Sequence, residues 1–345
     1  MAGGAIDVSV VIPTRNRAGW LDACLRTLSE QRTDARFEVV VVDNASEDDT
    51  SDVIGAWRRR DERFRGVRED RLGRSAAMNR GIAEATGGVI AFTDDDVLVD
   101  PAWIDAYVSL FATHPGVEIA GGPIYPIPRD VRWPRWYDDV AASSIGAIDY
   151  DGERALGDRE NVWGANMAVR PALFARIGTW GEDLGVRGTF HPNNADPSKN
   201  EDTEFQQRAF SAGSPVWFCP GAKIRHRVNV PSPRVCIGKG VSNGMSSWGR
   251  PPWPTSPSDR RRGRHSIAGT IALVAALARV VWWAAALRLR PTSWLFRRAW
   301  LAAWGAGWRL EDLTGGIRST AIDVRIRVLA FAPIRIAQRL APWKP

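Results

Sequence analysis

Val89-Ile90-Ala91-Phe92-Thr93-Asp94-Asp95-Asp96 is the stretch on which the reading of this chain turns. Residues 88–93 suit a strand buried in a sheet, and they run straight into three adjacent carboxylates. Neighbouring carboxylates repel one another unless a cation sits among them. Hard divalent ions accept one or two carboxylates and complete their shell with phosphate oxygens. The run therefore reads as a holder for a metal–diphosphate, or else as a solvated turn with a helix cap before Pro101.

The residues before it repeat one theme. Residues 6–13, Ile-Asp-Val-Ser-Val-Val-Ile-Pro, are β-branched and almost wholly apolar, as a strand buried on both faces requires. A polar turn, Thr14-Arg15-Asn16-Arg17, leads into a helix carrying Leu21, Leu25 and Leu28. Residues 37–42 form a second buried strand, which ends at Asp43. Asp49-Thr50-Ser51-Asp52 can cap a helix over roughly 53–60, and residues 73–85 read as another. Alternating strands and helices predict a Rossmann-like, doubly wound α/β layer with a mostly parallel sheet. Ligands of such sheets sit beyond the carboxyl ends of the strands, where Asp43 and Asp94–Asp96 lie.

From about 115 to 257 the pattern is less regular and rich in Gly, Pro and Trp, with one clear helix near 202–212. Residues 251–258 read as a linker. The Gly238–Gly244 cluster has the wrong spacing for a phosphate loop and reads as a flexible loop. Beyond the linker the composition turns to Ala, Arg, Trp and Leu, which predicts a helical extension over 258–345. Residues 259–345 hold sixteen Lys/Arg and four acids, a net of +12, which leaves −5 of the overall +7 for residues 1–258. An acidic main domain argues against a nucleic-acid surface, whereas a basic Trp/Arg tail suits an anionic membrane surface. Residues 267–287 have the length of a bilayer span, yet Arg279 sits inside it, so helices lying on the leaflet are favoured over one spanning helix. A soluble helical extension packed on the catalytic domain or a second subunit is the bland alternative. The three scattered cysteines read as reduced thiols. With no signal peptide visible at the start, the expected location is the cytoplasm, at the inner face of the membrane.

The ordered motifs resemble the family 2 glycosyltransferases of the GT-A fold. Ser9 to Arg17 resembles the family's opening strand and turn, and Val42-Asp43-Asn44-Ala45-Ser46 its second strand end. Gly73 to Gly81 resembles the helix before the acidic motif, and Phe92 to Asp96 the DxD motif itself. Gly164-Ala165-Asn166-Met167 and Asn200-Glu201-Asp202-Thr203-Glu204 resemble the acceptor-side motifs. The likeness covers about residues 6–230 in the family's order.

That resemblance implies a catalytic domain over 1–257, with a nucleotide-sugar half over about 6–110 and an acceptor half over about 111–250. It implies an inverting transfer of a sugar from a nucleotide diphosphate to the hydroxyl of a glycan, lipid-linked or small-molecule acceptor. Pro13, Thr14 and Arg15 would line the nucleoside pocket, and Asp43 would hydrogen-bond the base. The family often has an aromatic where Arg15 stands. Arg74 would meet the diphosphate through its forked guanidinium. Asp94 would face the ribose or metal side, Asp95 would lie beside the substrate, Asp96 would bind the metal with its two neighbours as alternative ligands, and His226 would complete the shell. Carboxylates and one imidazole suit Mn2+, with Mg2+ the other candidate. Asp202 would be the general base, with Glu201 and Asn166 beside the substrate. Trp180 reads either as a platform for a sugar face or as core. Competing readings are a nucleotidyltransferase, which should carry a Gly-rich basic signature after its first strand, and a non-enzymatic anion-binding, membrane-associated module.

Overall fold

The computed structural model describes residues 5–128, 146–157, 160–182 and 201–229, together with 278, 282 and 283. The linker, the Gly238–Gly244 cluster and nearly all of 258–345 lie outside the described residues, as do Asp183, His191, Cys236 and His265. Among the described residues, no helix is long and apolar enough to cross a membrane. The chain divides into one unit of residues 1–127 with 146–228, and another of 128–145 with 229–345. The first holds the candidate residues and is the one described below.

Its frame is an eight-stranded sheet. The apolar run after Asp7 becomes β1 (Val8–Thr14), followed by α1 (Ala18–Ser29). β2 (Phe37–Asp43), α2 (Thr50–Arg60) and β3 (Phe64–Arg68) come next, then α3 (Arg74–Glu84) and β4 (Val89–Thr93). β1 pairs in parallel with both β2 and β4, and β2 pairs in parallel with β3. β1 is buried along almost its whole length and β4 throughout, as central strands of a doubly wound layer must be. β3 is different. Only Phe64 is buried, and after it half-buried Arg65 and Val67 alternate with exposed Gly66 and Arg68, which suits an edge strand.

The second half of the sheet is mixed. β6 (Ile119–Gly121), β8 (Arg154–Ala155), β9 (Asn166–Val169) and β10 (Trp217–Phe218) complete the order β3-β2-β1-β4-β9-β6-β10-β8. β9 is antiparallel to both β4 and β6, so the parallel character expected of the sheet holds for its first half. A three-stranded sheet, β5-β11-β7, is built from β5 (Val97–Val99), β7 (Ile124–Pro128) and β11 (Ile224–Val228). The helices α4 (Trp103–Thr113), α5 (Pro171–Ile177) and α6 (Glu201–Ser211) account for the rest. One core lies under α1 and α4 and includes Leu21, Leu25, Trp103 and Tyr107. The other lies under α3, α5 and α6 and includes Met78, Phe174, Trp180 and Phe205.

Candidate active site

Three strand ends and two helix starts supply the candidate residues. β1 and β2 stop in register, Thr14 opposite Asp43, and β4 delivers Thr93 next to the acidic run. Asp95 and Asp96 are almost wholly buried, so burial opposes their ionisation. The protein answers with donors from the first turn. Thr14 Oγ1 donates to Asp95 Oδ2 at 2.7 Å, and Arg17 Nη1 reaches Asp95 Oδ1 at 3.0 Å and Asp96 Oδ2 at 2.6 Å. Burial still dominates at Asp95, whose carboxyl is pushed up to about 7, with Arg17 pulling the other way and Asp96 adding to the rise. Arg17 was not among the expected site residues. A turn arginine looks solvated in sequence, and only the fold sets it across from the acids.

His226 reaches the cluster through strand pairing. β11 runs antiparallel to β5 with His226 opposite Val97, and the Arg227 N–H donates to the Asp96 carbonyl at 3.0 Å. That register brings His226 Nε2 to 3.1 Å from Asp96 Oδ1. Ligand atoms of Asp94, Asp96 and His226 all lie within 4.8 Å of one another. Two carboxylates and one imidazole form a donor set that fits a divalent ion.

Arg74, at the start of α3, spans the site. Asn44 holds the preceding loop by accepting from the Gly73 N–H and donating to the carbonyls of Glu69 and Arg71. Arg74 Nη2 then meets Asp94 Oδ1 at 2.8 Å, and Nη1 meets Glu201 Oε1 at 2.9 Å. Burial works against the Arg74 charge, but Asp94 and Glu201 outweigh it and leave its pKa raised. A Cβ on Gly164 would sit 3.1 Å from Arg74 Nη2, so the chain passes this guanidinium closely. Asp202 follows Glu201 on the buried face of α6. It accepts from the Gly164 N–H at 3.1 Å and the Thr203 N–H at 2.8 Å. Burial, then the neighbouring Glu201 charge, push its carboxyl up to about 7 against those hydrogen bonds and Arg74. Glu201 Oε2 is buried with no hydrogen-bond partner.

Other expected residues fall elsewhere or are already engaged. Asp43 Oδ1 accepts from the Ser46 N–H and Oδ2 from Ser51 Oγ, each at 2.9 Å, with Arg68 at 3.5 Å. Pro13 is half-buried on β1, and Arg15 carries buried Nε and Nη1 atoms without partners. Asn166, expected on the acceptor side, has its whole side-chain amide engaged inside the fold. Its Oδ1 accepts from Trp103 Nε1 and Tyr107 Oη, both at 2.8 Å. Its Nδ2 donates to the carbonyls of Pro123 at 3.0 Å and Ala222 at 2.7 Å. Two lone pairs and two protons are a side-chain amide's whole capacity. Of the two readings of Trp180, the structure shows the core one. Its ring lies 4.5 Å from Phe205 and edge-on to Phe92 at 5.7 Å, at 2% exposure. A hollow of about 440 Å³ beside Ile177, Glu204 and Arg208 contains none of the candidate residues.

Residues 9–174 match the family described as Glycosyl transferase family 2. Over those residues the chain resembles a family 2 glycosyltransferase domain. It is 30% identical over 233 residues to a validoxylamine A glucosyltransferase of Streptomyces hygroscopicus subsp. jinggangensis, covering 61% of this chain and 52% of that protein. It is 28% identical over 213 residues to glycosyltransferase AglE of Haloferax volcanii, covering 61% of this chain and 64% of that one. The chain thus spans about half to two-thirds of the length of these relatives. Among solved structures, GalNAc-T7 with UDP, GalNAc and Mn2+ superposes with a TM-score of 0.50 at 14% identity, over 75% of this chain and 54% of that one. That likeness speaks to the α/β fold alone.

Proposed function

We propose that this protein is an inverting, metal-dependent glycosyltransferase that moves a sugar from a nucleotide diphosphate to an acceptor hydroxyl. The observation that carries the reading is the Arg74 bridge, which ties Asp94 of the acidic run to Glu201, the neighbour of Asp202. A metal-binding group and a candidate base thus belong to one cluster, although 108 positions separate Asp94 from Asp202.

In this reading the acceptor oxygen attacks the anomeric carbon while its proton passes to an Asp202 oxygen. The bond from that carbon to the diphosphate breaks with inversion. A carboxylate whose pKa lies near neutrality is suited to take that proton and still be ionised at working pH. The hydrogen bonds from Gly164 and Thr203 hold Asp202 in one orientation. Asp94, Asp96 and His226 would hold a divalent ion, Mn2+ or Mg2+, which would neutralise the departing diphosphate. Thr14, Arg15 and Asp43 would bind the nucleoside, and Arg74 would add positive charge beside the phosphates. The name of the validoxylamine A glucosyltransferase supports a small-molecule acceptor, beside a glycan or a lipid-linked one. The basic tail over 258–345 supports contact with the inner face of the cell membrane.

The test is a panel of nucleotide sugars with Mn2+ or Mg2+, scored by nucleotide diphosphate release. One donor should release its nucleotide only when metal and acceptor are both present, and Asp96→Ala should abolish release while the variant keeps its fold. Metal-independent release, or none from any donor, would defeat the reading.

A further inference from the structure

The acidic run is already partly neutralised by side chains of the chain itself. Asp94 is paired with Arg74, while Asp95 and Asp96 share Arg17. Arg17 Nη1 lies 2.6 Å from the Oδ2 atom of Asp96, whose Oδ1 faces His226 at 3.1 Å. The guanidinium and a divalent ion would therefore bind opposite oxygens of one carboxylate. Arginine stays charged at every accessible pH, so this competition cannot be relieved by titration.

We infer that Arg17 is a positioning residue that acts as a built-in counter-ion. It holds Asp96 through Oδ2, leaves Oδ1 to the metal, and keeps the affinity for a free divalent ion low. The ion is then gripped well only when it arrives with a nucleotide diphosphate, whose negative charge offsets the guanidinium. This rests on the proposed metal-dependent reading.

The backbone of Arg17 has its own anchors. Its N–H donates to Thr50 Oγ1 at 3.1 Å, and its carbonyl accepts from Trp20 and Leu21 at the start of α1. Truncating the side chain should therefore spare the turn.

The experiment measures Mn2+ binding to the full chain from the EPR signal of the free ion, without nucleotide and then with UDP or GDP. Removing a fixed cation from a partly buried site should tighten ion binding by about tenfold. Arg17→Met should therefore bind Mn2+ about tenfold tighter than wild type without nucleotide, while Arg17→Lys stays within about threefold of it. Nucleotide should improve Mn2+ binding much more in wild type than in Arg17→Met. Equal or weaker binding by Arg17→Met overturns the inference about Arg17 alone, provided wild type binds Mn2+ with nucleotide. If wild type binds no Mn2+ even with nucleotide, the metal reading and this inference fail together. Should Arg17→Met not fold, the wild-type protein decides the matter. Saturating Mg2+ should shift the 15N signals of the Arg17 guanidinium, and unchanged signals overturn the competition.

Discussion

Replacing Arg74 with Met should cost the fold about 3 kcal/mol, most of it through Glu201. The Glu201 side chain is 6% exposed, and Arg74 itself 18%. Hydrogen bonds to charged groups are each worth about 1.5–3 kcal/mol, and breaking a buried pair costs about 3–5 kcal/mol because one charge is left stranded. The Asp94 bond counts for less, since that side chain is 26% exposed and water can replace the guanidinium. Met keeps much of the apolar stem, so packing loss is small. The stranded Glu201 also lies beside Asp202, which burial already drives toward protonation, so the penalty should be greatest where both are ionised. Urea unfolding of wild type and Arg74→Met at about pH 8 and about pH 5 reads this out, with the deficit shrinking at the lower pH as Asp202 takes up a proton and stops repelling its neighbour. Arg74→Lys should recover part of the loss, because an ammonium cannot span both carboxylates. A deficit below about 1 kcal/mol at both pH values would refute the argument that Arg74 is the keystone between the two acidic groups.

Three other outcomes follow from the same geometry. Asn166→Leu strands the polar groups of Trp103, Tyr107, Pro123 and Ala222 at about 1–3 kcal/mol each, so thermal melting should show a severely destabilised or unfolded protein. Asp95 and Asp202 both have carboxyls raised from 3.8 to about 7, so their contribution to stability is full below about pH 4 and is lost as pH rises through 7. Asp202→Asn should therefore be more stable than wild type at about pH 8 and lose that advantage at about pH 4, as denaturant midpoints would show. Gly164→Ala presses a methyl toward Arg74 and should lower transfer more than it lowers melting temperature, whereas equal activity would show that Arg74 tolerates displacement.

The first half of the fold was legible because its signals are local. An apolar run, a turn and a helix follow one another from Val8 to Thr93, the first helix marked by its leucine spacing, and carboxylates at strand ends mark themselves. β3 was harder to see, since a short edge strand carrying Arg65, Gly66 and Arg68 resembles a solvated segment. His226, by itself, looks like a surface residue. Only the pairing of β11 with β5 turns it toward Asp96. Arg17, Asn166 and Trp180 share one lesson. Their roles depend on partners far along the chain, such as Asp96 for Arg17 and Trp103 for Asn166, and no short motif encodes those contacts.

The most direct test of the account is the turnover of Asp202→Asn against wild type, with the donor identified by the panel and saturating Mn2+. An amide preserves the shape but cannot accept the acceptor's proton, so kcat should fall by at least about a hundredfold while nucleotide binding is retained. Wild-type turnover by Asp202→Asn would contradict the assignment of the base and, with it, the proposed displacement.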